Sequence, residues 1–228
     1  MKIEDIHTIT HSLSDTHFGQ ALDCLLRCRE DLKHPIEENR NAISTIVHAF
    51  LGLESAINLV GDNLFSNEES HIFISVNDRD YALNRLIQSW STMPTLKKLD
   101  FLFSYSEGVG LSSNLKSQII ELNNLRNWIV HGFVYKETLL LEETGEDSYN
   151  LIDRELHIDW EKKFPTTKFN TLSDLNKNDA FLALKICLEI AKNISIKFQQ
   201  PFSIIRTYGE IKYNIIHQDS DIEKIIND

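Results

Sequence analysis

"AISTIVHAFLGLESAINLV", Ala42 to Val60, is the stretch that decides the fold. Ile43, Ile46, Val47, Phe50, Leu53, Ile57 and Val60 recur at intervals of three and four residues. That spacing draws one continuous apolar stripe along a helix. A helix is therefore predicted from about Glu37 to Val60, with Gly61 as its natural stop. The stretch also carries His48 and Glu54 and falls short of a comfortable bilayer crossing. It predicts the core helix of a soluble bundle. Glu54, a lone carboxylate in an apolar stripe, is expected to serve as an ion-pair partner.

Working outward, Phe18, Leu22, Leu25, Leu26 and Leu32 repeat the helical spacing between Thr16 and about Lys33. Pro35 ends that helix, because the residue before a proline is steered out of the helical region. The two segments predict an antiparallel helical pair. Downstream, "DNLFSNEESHIFISVND" reads as a loop with a short extended piece at His71–Val76, followed by a helix from about Asp78 to Trp90. Pro94 opens the next helix, "TLKKLDFLF" continues it, and "SEGVGLSSN" breaks it. A further helix is predicted from Ser113 to His131.

The period then changes. Two β-prone runs, roughly 133–142 and 149–158, flank the acidic tip "ETGEDS" and predict a β-hairpin. "FPTTKFNTLSDLNKND" is a linker to a long helix from about Asp179 to Phe198, with Phe181, Leu184, Leu188 and Ile194 facing inward. The sum is an all-α helical bundle with a β-hairpin insertion at about 133–160. Residues 1–15 form a polar lead-in, 16–200 the helical domain and 201–228 an appended segment. The strand–helix alternation of a nucleotide-binding parallel sheet is absent from the pattern.

Composition supports this. Glycine (8) and proline (4) are scarce among the 228 residues, which favours long helices. An apolar fraction of 42% and a charged fraction of 25% are those of an ordinary globular protein. The balance of 23 basic against 34 acidic side chains gives a formal charge of −11. Nucleic-acid affinity rests on Lys and Arg neutralising phosphates, so any contact with RNA needs a locally basic cleft. Cys24, Cys28 and Cys187 have no disulfide-like spacing and indicate a reducing compartment. Cys24 and Cys28 share a helical face and read as small core residues. His7 and His11 are four apart and His17 follows, but no further ligand completes a tetrahedral set. They read as solvated or capping residues, and no metal or cofactor is expected. The N-terminus lacks the apolar run of a secretory signal, which with the rest predicts a cytoplasmic protein.

One short stretch reads as chemistry. "LRNWIVHGF", Leu125 to Phe133, places an arginine, an asparagine and a histidine within two turns at the end of an apolar helix. At about 100° per residue, Leu122, Leu125 and Ile129 face the core, while Asn123, Asn124, Asn127 and His131 gather on another side. Asn127 and His131 are neighbours at a spacing of four, and Arg126 lies to one side, its long guanidinium able to curve back towards the imidazole. Histidine moves protons near neutral pH. Arginine stays charged and matches phosphate oxygens with its fork of donors. Cleaving an RNA phosphodiester without metal needs a base, an acid and charge stabilisation at phosphate. Two such patches across a two-fold axis would supply all three.

"LNNLRNWIVHGF", with Arg126, Asn127, three further residues and His131, resembles the R-x4-H signature of the HEPN superfamily. The resemblance implies a small helical bundle and a metal-independent endoribonuclease acting as a homodimer with a composite site. It implies an RNA substrate, 2′,3′-cyclic phosphate products and a toxin–antitoxin or antiviral-defence setting with an antitoxin or defence protein as partner. It assigns His131 as general base or acid, Arg126 to the scissile phosphate and Asn127 to orientation. Forms paired with a nucleotidyltransferase often carry tyrosine two residues past the histidine; here that residue is Phe133. The competing expectation is a non-catalytic module of the same fold that binds a protein or small ligand. In that case Arg126 pairs with a carboxylate such as Glu54, and His131 caps the helix C-terminus. Trp90 and Trp128 are read as core or dimer-interface residues, not base-stacking platforms.

Overall fold

The computed structural model describes residues 13–30, 35–66, 85, 88–107, 111–131, 136–145, 148–157, 168–200, 204–208 and 212–216. Among the described residues, five long helices build an all-α core: α1 (Ser14–Glu30), α2 (Pro35–Ser66), α3 (Thr95–Glu107), α4 (Ser113–His131) and α5 (Lys177–Lys197). Two antiparallel strand pairs are also present. β1 (Lys136–Gly145) pairs with β2 (Ser148–His157), and β3 (Ile204–Tyr208) pairs with β4 (Lys212–Ile216). β3 lies along α1, and the β3–β4 pair is a ribbon that the sequence pattern does not reveal.

α2 is the axis of the bundle, with α1, α3, α4 and α5 all packed on it. The reason lies in its stripe. Ile46, Ala49, Phe50, Leu53, Ile57 and Val60 are buried there, joined by Phe18, Leu22 and Leu25 from α1, Leu99 and Leu102 from α3, and Ile119, Leu122 and Leu125 from α4. Each such side chain contributes about 1.5–3 kcal/mol when fully removed from water. α5 closes the core with Ala180, Ala183, Leu184, Ile186, Cys187, Ile190 and Ile194. Of the residues expected to face inward on α5, Phe181 is instead 38% exposed. Small alanines at 180 and 183 take the contact, and the phenyl ring lies one position round the helix. By length and composition Ile36–Phe65 is able to cross a membrane, but half of its most apolar window is buried inside the bundle.

Two glycines set how closely neighbours approach α2. At Gly52 a Cβ would sit 3.0 Å from the ring of Phe18, and Ser14 Oγ donates to the Gly52 carbonyl at 3.0 Å. At Gly61 a Cβ would overlap the indole of Trp90. This corrects the sequence reading of Gly61 as a helix stop. The helix runs through it to Ser66, and the missing side chain makes room for the indole. The predicted helix at Asp78–Trp90 and the extended piece at His71–Val76 lie almost wholly outside the described residues. Only Arg85 and Gln88–Trp90 are described there, and they are helical.

The linker before α5 is tied down. Asn39 Nδ2 donates to the carbonyls of Leu172 and Leu175, and Lys177 N–H donates to Glu38 Oε1. α5 starts two residues earlier than its apolar pattern suggests, because Asn176 and Asp179 form a reciprocal capping box. Asp179, though buried, also accepts from the backbone and side chain of Asn170.

His17 and His48 meet between α1 and α2, Nδ1 to Nδ1 at 3.3 Å. His17 is thus half-buried against a ring, and it neither caps a helix nor stands in solvent. Burial, with His17 beside it, holds His48 below the ordinary histidine range. His7 and His11 lie outside the described residues. Cys24, Cys28 and Cys187 are buried thiols, and burial pushes Cys24 and Cys187 up, away from reactivity.

Gly61→Ala gains about 1 kcal/mol of helix propensity yet should destabilise the protein by about 1–3 kcal/mol through overpacking on Trp90. Guanidinium unfolding checks this. The cost should largely vanish when Gly61→Ala is combined with Trp90→Leu; a cost unchanged in that background contradicts the packing assignment.

Candidate functional site: a polar cleft between three helices

α4 forms with the boundaries its sequence implies, Ser113 to His131. Leu115, Ile119, Leu122, Leu125 and Trp128 bury one side of it. That leaves Asn123, Arg126 and Asn127 on a flank facing α2 and the start of α3. There they line a cleft of roughly 400 Å³ together with Glu54, Asn58, Thr95 and Lys98. α2 supplies Glu54 and Asn58, one turn apart. α3 supplies Thr95 and Lys98, again one turn apart.

Arg126 is the hinge of the arrangement. Its Nη2 meets Glu54 Oε2 at 3.3 Å. Nη1 donates to Asn127 Oδ1 at 3.0 Å, and the guanidinium lies over the Phe50 ring, 5.3 Å from its centre. Its long arm therefore turns towards α2. The other Glu54 oxygen accepts from Thr95 Oγ1 at 2.6 Å. Both carboxylate oxygens are thus engaged from different helices. The pair remains partly accessible, with the Arg126 and Glu54 side chains 20% and 26% exposed. Arg126 Nε is buried and has no hydrogen-bond partner among the described residues.

Lys98 is the second cation. It is 7% exposed, donates from Nζ to Asn58 Oδ1 at 2.8 Å and sits over the Trp90 ring. Burial lowers its pKa, and the Glu54 charge partly offsets this. With Glu54 as the counter-charge, the cleft carries two fixed positions of positive charge against one negative. An acidic chain thereby gains the locally basic recess that contact with phosphate demands.

His131 lies elsewhere. It closes α4 five residues past Arg126, about 7.5 Å further along the axis. It is exposed, beside Val130 at 50% exposure, and does not line the cleft. So the structure brings Arg126 and Asn127 together in one recess and places His131 outside it. A histidinium at a helix C-terminus is favoured by the backbone dipole. Trp90 and Trp128 are each 7% exposed and packed in the bundle.

Sequence reading found Glu54, Arg126, Asn127 and His131 but missed Lys98, Thr95 and Asn58. The signal was present. Lys98 lies four residues before Leu102 and Asn58 one after Ile57, so both interrupt apolar stripes. Polar side chains at one-turn spacing on a buried face are costly unless they meet something. Among the described residues no group of three or more His, Cys, Asp and Glu is arranged to hold a metal.

Chemically, the cleft can bind and polarise an anion. It offers no imidazole for proton transfer, which must come from a group outside it.

Because Glu54 and Arg126 satisfy one another, removing one should cost more than its size suggests. Glu54→Ala should destabilise by about 1–3 kcal/mol, and adding Arg126→Met should return part of that loss. A double-mutant cycle by urea unfolding measures the coupling; strict additivity contradicts the pairing. No protein-family model, curated protein or solved structure matches this chain, so its function is argued from this geometry and from the motif.

Proposed function

We propose that the protein is a cytoplasmic, metal-independent endoribonuclease of the HEPN type, acting as a homodimer with a composite site in toxin–antitoxin or antiviral defence. The observation that carries this reading is the division of the motif. Arg126 and Asn127 belong to a polar recess, whereas His131 stands exposed at the end of the same helix, outside that recess. A catalytic pair so divided suits a site completed by a second copy. In that arrangement two α4 ends meet across a two-fold axis and the imidazole of one chain serves the arginine of the other. The β1–β2 pair is read as the hairpin insertion in a HEPN-like bundle, and residues 201–228 as an appended segment.

The roles follow from the chemistry. Arg126, steered by Glu54 and seated on Phe50, offers its remaining donors to the scissile phosphate. Asn127 orients the guanidinium through its carbonyl oxygen, which leaves its amide NH2 as a donor. His131 takes the 2′-hydroxyl proton or protonates the departing 5′-oxygen. The bond between phosphorus and the 5′-oxygen breaks as that to the 2′-oxygen forms, giving a 2′,3′-cyclic phosphate and a 5′-hydroxyl. No water and no metal is needed in that step.

A second reading has support of its own. The Glu54–Arg126 pair is what a structural arginine would make. On that reading the chain is a non-catalytic module of the same bundle that binds a protein or small ligand.

The two separate in one experiment. Purified protein in EDTA should cleave total RNA to 2′,3′-cyclic phosphate ends, and Arg126→Ala and His131→Ala should each lower the rate at least a hundredfold. Absence of cleavage by the wild type, or equal cleavage by folded variants, favours the binding module.

A further inference from the structure

Lys98 is an uncommon residue to find where it is. It is only 7% exposed and lines the cleft, and its counter-charge, Glu54, acts on it while in direct contact with Arg126 instead. Its ammonium donates to the neutral Asn58 oxygen, with the Trp90 ring beneath it. A cation this buried, sharing its one counter-charge with Arg126, is costly, and leucine or methionine would fill the same place on α3 at less expense in stability. Glu54 is one carboxylate facing two cations, with Arg126 and Thr95 on its two oxygens. Lys98 and Arg126, on different helices and lining one space of roughly 400 Å³, set two cations against the single carboxylate of Glu54. The ligand that balances them is an oxyanion with at least two free oxygens.

We infer that Lys98 is a substrate-binding residue: it and Arg126 grip one phosphate group between them, Lys98 as a point charge and Arg126 as a fork. The inference rests on the ribonuclease reading for the phosphate's source, an RNA backbone. A free phosphate or monoester would satisfy the same chemistry. Thr95 and Asn58 hold the two gripping walls at their separation and leave one net positive charge in the recess. Lys98 thereby compensates locally for the formal charge of −11 on the whole chain.

The test uses the full chain, with Lys98→Met to remove the charge at similar length and Lys98→Arg to keep it. Melting is followed with and without inorganic phosphate at constant ionic strength. Affinity is measured for an RNA oligonucleotide 2′-O-methylated throughout, which cannot be cleaved by 2′-attack. Wild type should gain in Tm with phosphate and bind the oligonucleotide. Lys98→Met should melt no lower than wild type, lose the phosphate-dependent gain and bind the oligonucleotide about tenfold more weakly, with a shallower salt dependence. Lys98→Arg should retain most of the binding. Phosphate binding that needs Lys98, in a protein that cleaves no RNA, upholds the inference while the ribonuclease reading fails. RNA cleavage by a protein whose Lys98→Met variant binds the oligonucleotide as well as wild type does the reverse. A Lys98→Met variant that melts several degrees lower with unchanged affinity also overturns the inference, because it makes Lys98 a structural cation.

Discussion

The contact between Glu54 and Arg126 joins the central helix to the motif helix, and the cleft takes its shape from it. Neither residue belongs in an apolar bundle alone. Taking a charge from water costs several kcal/mol, and each ion repays the other only when geometry and further hydrogen bonds are good. Here they are. Thr95 brings α3 to the second carboxylate oxygen, Asn127 brings its own amide to the guanidinium, and Phe50 gives the cation a flat support. Three helices are thus registered against one another by polar contacts at the rim of a core that hydrophobic burial holds together. The pair fixes where the guanidinium sits while leaving the Arg126 side chain a fifth exposed, a compromise between burial and access.

That compromise organises the electrostatics. The chain as a whole carries an acidic excess, but the cleft concentrates Arg126 and Lys98 in a partly enclosed recess, where a charge acts more strongly than on open surface. On the proposed reading, phosphate binding belongs to the recess and proton transfer to His131 at the exposed tip of α4, and the proposed dimer brings the two together with no change in either part.

Much of this was legible in the sequence. The stripe from Ile43 to Val60 identified the central helix, and the alternation of apolar and amide positions around Leu122 and Asn127 gave α4 its two faces and its limits. Glu54 stood out as a lone carboxylate in an apolar stripe, and the structural reading of Arg126 offered it as an ion-pair partner, the contact that the structure contains. Other features were illegible for physical reasons. Gly61 looks like a terminator in one dimension, because the indole that occupies its missing side chain comes from Trp90, 29 residues later. Lys98 looks like one of two adjacent surface lysines, since only the packing of α3 on α2 shows that one of them turns inward. Phe181 looks like a core residue by type, but the alanines beside it let α5 come close and leave the ring outside. The ribbon of β3 and β4 is short and has no partner within the helical pattern, so its sequence carries little periodic signal.

The central claim is that the arginine of one chain works with the histidine of another. The most direct measurement mixes two inactive proteins, one carrying Arg126→Ala and the other His131→Ala, under conditions that allow subunits to exchange. The account predicts that RNA-cleaving activity returns on mixing, because the mixed dimer holds one intact arginine and one intact histidine at the shared site. Persistent inactivity, in a mixture shown by mass to contain the mixed dimer, would contradict it.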